Sequence, residues 1–202
     1  MIKLYDYDLS GNCYKVRLLL HFLKIQYDKV PVNFVDGEHK SESFLTINPF
    51  GELPVLQDGD LKLRDAQAIL VYLALKYDTS NTWYPNDPDQ RGLISQWLAT
   101  GGGELMCVSG ARLAKALRYP LDVRKLHDGA HRVYGILNTH LANREFLELD
   151  HPTIGDIACF PYTALANEAG LDISGYPHLL AWSLRMRRLP GFLPMPGISA
   201  LN

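Results

Sequence analysis

Two stretches of this chain carry residues whose types and spacing could do chemistry. The first is Asn48-Pro49-Phe50-Gly51-Glu52-Leu53-Pro54-Val55-Leu56. Pro54 has no amide hydrogen, so it does not belong inside a fully paired central strand. It fits at a strand's first position, where a cis bond is an option. Leu53 then faces outward with its main-chain N–H and C=O free. Those two groups can pair in β fashion with the backbone of a short peptide, so Leu53–Pro54 reads as the floor of a peptide-binding site. The second stretch is Ser10-Gly11-Asn12-Cys13-Tyr14-Lys15-Val16. On residue type alone, Ser10 and Asn12 are helix caps. Cys13 has two readings. A helix start favours a thiolate able to form mixed disulfides. Against that, Cys13 opens an apolar stripe, and buried cysteines are usually inert.

Composition narrows the classes. The chain has 202 residues, 47% of them apolar, and a net charge of −2. That suits one large or two small globular domains and gives no support to nucleic-acid binding. No apolar run approaches the roughly 20 residues needed to span a membrane. The start, Met1-Ile2-Lys3-Leu4-Tyr5-Asp6, has no secretory pattern. Three cysteines, Cys13, Cys107 and Cys159, are odd in number and far apart. That argues against a disulfide framework, a metal site or a CxxC redox site. A reducing cytoplasm is the expected setting.

The elements that must hold these residues come next. Residues 1–5 alternate as a strand. Cys13, Val16, Leu19, Leu20 and Leu23 recur at steps of three and four, which predicts an amphipathic helix from near Asn12, with Lys15 and Arg17 on its other side. Residues 27–33 read as a second strand, put at an edge by Pro31. The loop around Asp36-Gly37-Glu38-His39-Lys40 is charged. Residues 41–47 form a short helix, 54–57 a third strand, and 61–64 a fourth after the Asp58-Gly59-Asp60 turn. Asp65 caps a helix over 66–77. The order is βαβ-α-ββα, an α/β layer pair. Residues 79–89 read as a linker.

Everything from 90 to 202 reads as helical. A long helix over 90–116 must bend or break at Gly101-Gly102-Gly103. Another runs over 121–141. Thr153 and Asp156 open a third as a capping box, with Pro161 kinking it and Gly170 ending it. The last runs from Tyr176-Pro177 to Arg188.

Together these features resemble a cytosolic glutathione transferase. The βαβ-ββα unit is similar to a thioredoxin-like domain, with Leu53-Pro54 where that fold places its cis-proline. Thr153-Ile154-Gly155-Asp156 resembles the buried helix cap of the family. Ser10-x-Asn12-x-x-Lys15-Val16 resembles the serine-type members, and the chain is similar to bacterial, theta-like ones. The resemblance covers nearly all of the chain. It implies a thioredoxin-like, glutathione-binding domain over 1–78 and an all-helical domain over 90–202 that carries the electrophile site.

It also implies roles. Ser10, helped by Asn12 and the helix start, would stabilise the thiolate of glutathione, which is the co-substrate, with no metal. Leu53 and Pro54 would hold the cysteinyl backbone of glutathione. Asp65 and Ala66 occupy the family's acid–serine position for the γ-glutamyl end, with the serine hydroxyl replaced by Ala66. His39 and Lys40 match the loop that meets the glycine carboxylate. Leu105, Met106, Ser109, Arg112 and Leu113 are placed to line the electrophile pocket, and Arg112 could meet an anionic substrate. The implied activity is a detoxification-type transfer of glutathione to a small, largely apolar electrophile. The implied assembly is a homodimer in the cytoplasm, without nucleic acid or membrane, in which Phe50 would face the partner subunit. Three alternatives stay open at this point: peroxide reduction or disulfide exchange, the latter through Cys13; dehalogenation; and a non-catalytic binding or assembly module, kept open by Ala66.

Overall fold

The computed structural model describes residues 1–201. Its first part is a four-stranded mixed sheet with helices. β1 (Ile2–Asp6) is followed by α1 (Gly11–Phe22), β2 (Tyr27–Pro31), a 3-10 turn (Glu38–Lys40), α2 (Glu42–Leu45), β3 (Val55–Asp58), β4 (Leu61–Arg64) and α3 (Ala66–Tyr77). The strand order is β2-β1-β3-β4. β1 runs parallel to β2 and antiparallel to β3, with Leu4 opposite Leu56. Pro31 ends an edge strand, where its missing N–H breaks no ladder. Within β1, Ile2, Leu4 and Asp6 point inward and Lys3 outward, the period expected of a strand. Pro54 stands just before β3 and not at its first position, and the Leu53–Pro54 bond is cis.

The second part is helical: α4 (Pro88–Gly102), α5 (Met106–Leu117), α6 (Val123–His140), a 3-10 turn (Leu141–Asn143), α7 (Ile154–Ala164), a 3-10 turn (Ala166–Ala169) and α8 (Pro177–Met186). The long helix expected over 90–116 is thus two, broken at the glycines. Pro161 lies inside α7 without ending it, and Gly170, at φ 80°, closes the following 3-10 turn instead. No helix among the described residues is long and apolar enough to cross a membrane.

α7 is the central pillar, with every residue from Ile154 to Thr163 buried. Its start is a capping box: the Thr153 side chain accepts from the Gly155 N–H, and Asp156 Oδ2 accepts from the Thr153 N–H at 2.8 Å. Asp156 does more than cap. Its Oδ1 also accepts from the Leu147 N–H and the Trp182 indole, each at 2.9 Å. One carboxylate therefore ties α7 to the preceding loop and to α8.

The expectation that Lys15 and Arg17 lie on an outward face of α1 is corrected. Both are buried. α1 packs on α3 on one side and on α7 on another, so it has no broad face left to water. Charged groups inside need partners, and both find them, Arg17 in a carboxylate and Lys15 in a carbonyl and a ring face. Arg17 donates to the buried Asp6 at 2.5 Å. Lys15 donates to the Gly101 carbonyl at 2.8 Å and stands 4.9 Å from the centre of the Tyr162 ring. Gly101 is in the last turn of α4, whose carbonyls have no partner inside the helix. Lys15 thus caps, from the first part of the chain, a helix of the second.

Candidate active site

The β1–α1 loop, the 3-10 turn at 38–40, the 51–53 segment and α5 enclose a cleft of about 550 Å³. Ser10, Asn12, His39, Lys40, Leu53, Met106, Ser109, Arg112 and Leu113 all line it. These come from both parts of the chain, and the fold brings them to one place. A second hollow of about 640 Å³ lies between the end of α1 and the C-terminal tail. It contains none of the residues that the sequence singles out.

Leu53 has the geometry expected of a peptide floor. Neither its N–H nor its C=O has a hydrogen-bond partner among the described residues. Val32, Phe44 and Val55 form a small apolar cluster behind it. The turn before it is shaped by buried Asn48, which donates from Nδ2 to the Glu52 carbonyl at 2.9 Å and accepts the Phe50 N–H at 3.1 Å. Gly51 has φ 58°, and a Cβ there would stand 2.7 Å from the His39 carbonyl. Only glycine allows both that backbone and that approach, and the approach sets His39 and Lys40 beside Leu53.

His39 is 7% exposed, stacked on Phe34 at 4.3 Å, and its Nδ1 is buried without a partner. Burial, with Lys40 adding to it, holds its pKa below the usual imidazole value. It is therefore a neutral ring that still needs a hydrogen-bond partner. Phe34 in turn stacks on Tyr7 at 5.4 Å. Tyr7, Phe34 and Tyr162 line the cleft as well. Phe34 and Tyr162 are not marked by any spacing in the sequence.

Ser10 is the N-cap of α1. Its Oγ accepts from the Cys13 N–H at 3.2 Å, and its own N–H donates to the Tyr7 carbonyl at 2.9 Å. No acceptor for the hydroxyl proton meets hydrogen-bond geometry among the described residues, although the hydroxyl lies close enough to the Cys13 sulfur to favour its anion slightly; capping itself uses only the oxygen's lone pair. Asn12 sets Nδ2 3.9 Å from the Met106 sulfur, and its Oδ1 is buried and unpartnered. Cys13 is fully buried, and burial, with the Asp6 charge adding to it, pushes its thiol up to about 12. The helix start does not make it a thiolate.

Four residues expected at the site do not line the cleft. Pro54 is buried behind Leu53. Leu105 is fully buried in the core, because it precedes α5 on the side that faces inward. Asp65 and Ala66 stand at the start of α3. Asp65, at φ 72°, caps that helix, its Oδ1 accepting from the Gln67 and Ala68 N–H groups at 2.9 and 3.0 Å. The Ala66 N–H has no partner among the described residues. Arg112 lines the cleft but does not offer a free charge, since it is paired with Glu168 at 2.6 Å.

Comparison with known proteins points to one family. Residues 1–75 match the family model described as glutathione S-transferase, N-terminal domain, and residues 121–190 match glutathione S-transferase, C-terminal domain. The chain is 30% identical to glutathione S-transferase 1 of Manduca sexta, over 94% of this chain and 89% of the other. It superposes on a glutathione S-transferase from Pseudomonas fluorescens Pf-5 with a TM-score of 0.90 and 31% identity, covering 96% and 98% of the two chains. A glutathione transferase homolog from Drosophila mojavensis, solved with bound glutathione, is similar at a TM-score of 0.85 and 28% identity, covering 94% and 88%.

Proposed function

This chain belongs to the glutathione S-transferase family, a family of enzymes that use glutathione as co-substrate, and from that premise we propose that it is a serine-type transferase. Ser10 holds the glutathione thiolate while the thiolate attacks a small, largely apolar electrophile. The observation that carries the reading is the shared cleft: Ser10, whose oxygen caps α1, and Leu53, whose main chain is unpartnered, line the same space.

The roles follow from the chemistry of the groups. Leu53 pairs with the cysteinyl backbone of glutathione, and that fixes the sulfur near α1. His39 and Lys40 meet the glycine carboxylate; the neutral ring of His39 offers its unpartnered Nδ1 as donor or acceptor according to tautomer. Asp65 and the Ala66 N–H, at the start of α3, take the γ-glutamyl end, where the helix start favours a carboxylate. A free thiol has a pKa near ~8.5. The Ser10 hydroxyl and the start of α1 both favour its anion. The sulfur then forms the new bond to the electrophilic carbon, and the displaced electron pair leaves with the departing group. Ser10 donates to the nucleophile and is not itself one. Residues 1–78 serve glutathione, and residues 90–202 supply Met106, Ser109 and Leu113 on the electrophile side. Asn12 supports the same sulfur from α1.

The setting that fits is a cytoplasmic homodimer. Phe50, 56% exposed with the Arg64 guanidinium stacked 3.7 Å from its ring centre, is the aromatic offered to the partner. Buried Cys13 argues against disulfide exchange as the main chemistry.

The test is Ser10→Ala. It removes a donor to the anion, so the bound thiol should ionise at higher pH. Once that pKa lies above the assay pH, each further rise of one leaves about tenfold less thiolate, so the loss of turnover should be largest at low pH and fade as pH rises. An unchanged pH profile would take Ser10 out of the mechanism.

A further inference from the structure

The loop that carries Ser10 is gripped from two sides. Three successive carbonyls before it each accept a hydrogen bond from a guanidinium. Arg17 of α1 donates to Tyr7 at 3.4 Å and to Asp8 at 2.9 Å. Arg112 of α5 donates from Nη2 to the Leu9 carbonyl at 3.2 Å. Arg17 is steadied by buried Asp6. Arg112 is steadied by Glu168, whose Oε2 accepts from Nε at 3.0 Å and from Nη2 at 2.6 Å. The C-terminal turn closes over that carboxylate: a Cβ on Gly197 would stand 2.1 Å from Glu168 Oε1. Arg17 acts within the first part of the chain. Arg112 reaches over from the helical part.

We propose that Arg112, anchored by Glu168, is a positioning residue for the transfer reaction: it fixes the Leu9–Ser10 peptide, and through it the Ser10 hydroxyl, and does not bind the second substrate. The proposal rests on the reading of Ser10 given above. The Leu9 carbonyl and the Ser10 nitrogen belong to one planar peptide, so holding the oxygen sets the direction in which the Ser10 Cα leaves the loop. Errors of about 1 Å in such placement can cost about 100-fold in rate. The charge of Arg112 is also already answered. Its side chain is 14% exposed, and two of its nitrogens converge on one carboxylate oxygen. An incoming anion would have to displace Glu168 to use it.

The experiment compares the full-length protein with Ser10→Ala, Arg112→Met, Arg112→Lys and the Ser10→Ala/Arg112→Met pair. The pH titration of bound glutathione is followed by thiolate absorbance, and affinity by calorimetry. Arg112→Met should raise the apparent pKa of the bound thiol by about 0.5 or more. Glutathione affinity should change less than about twofold, and Arg112→Lys should recover part of the change in pKa. The double variant should match Ser10→Ala alone, because both changes remove the same contact. Additive effects in the pair would overturn the proposal, since the guanidinium would then act on the thiolate through space. So would an effect confined to KM for the electrophile. If Ser10→Ala moves the thiol and Arg112→Met does not, the positioning role alone falls. If Ser10→Ala does nothing, the Ser10 reading and the proposal fall together.

Discussion

Lys15 offers the sharpest test of the packing. It is fully buried, and burial pulls its pKa from the ordinary 10.5 down to about 8. Between those two values the unfolded chain holds a proton that the folded chain has released. The unfolded state then binds more protons, so the lysine's contribution to stability rises with pH through that window. It is complete above 10.5 and lost as pH falls through about 8. At roughly 1.4 kcal/mol per pH unit, the interval of 2.5 amounts to roughly 3 kcal/mol. The perturbation is Lys15→Met, which keeps an unbranched side chain one atom shorter and removes the titrating group. Cys159, whose thiol feels the Lys15 charge, is replaced by serine in both chains; Cys13 and the buried tyrosines titrate in both and cancel in the difference. The assay is urea unfolding of both chains, with a reductant, at several pH values between about 7.5 and 10.5. The stability of the chain that keeps Lys15, minus that of the variant, should climb by roughly 3 kcal/mol over that range. A difference flat to within about 0.5 kcal/mol would mean that Lys15 keeps an ordinary pKa, and the account of its burial would be wrong.

Two further outcomes follow from the same packing. Asp156→Ala leaves the Leu147 and Thr153 N–H groups and the Trp182 indole without their acceptor. At about 1–3 kcal/mol for each stranded donor, the loss should be at least about 3 kcal/mol; a midpoint of urea unfolding near that of the wild type would refute it. Thiol labelling of the native chain should modify Cys107, the half-buried cysteine, and leave the fully buried Cys13 and Cys159 until the chain unfolds. A fast reaction that survives Cys107→Ser would show that one of the buried thiols is reachable.

Much of this architecture is legible in the residues. Asp65, Thr153 with Asp156, and the glycine run at 101–103 mark boundaries where the backbone itself needs those residue types. Leu53 is legible because a proline next to it cannot join a ladder. What is not legible shares one cause. Periodicity sorts a helix into a wet side and a dry side, and α1 is covered on both. The burial of Lys15 and Arg17 depends on partners far along the chain: the Gly101 carbonyl is 86 residues from Lys15. Arg112 and Glu168 are 56 residues apart, and no spacing rule links an α5 arginine to a glutamate in a short 3-10 turn. Leu105 sits one residue from Met106, yet one faces the core and the other the cleft, a choice made by how the chain restarts after the glycines. The cap at Asp65 and the ladder-free Leu53 are local facts; the grip on Ser10 is a tertiary one.

One apolar cluster runs unbroken from Leu4, Leu20 and Ile69 through Leu98, Ile157 and Leu179 to Ile198. The two segments recognised separately in sequence therefore share their main interior, with only the small cluster of Val32, Phe44 and Val55 apart from it, and the stretch between them is a strap over parts that already touch. A protease nick in that strap should leave the fragments travelling together as one particle. Chimeras that exchange the first segment between relatives would first have to match the surface where α1 meets α7, because the two segments pack against each other there.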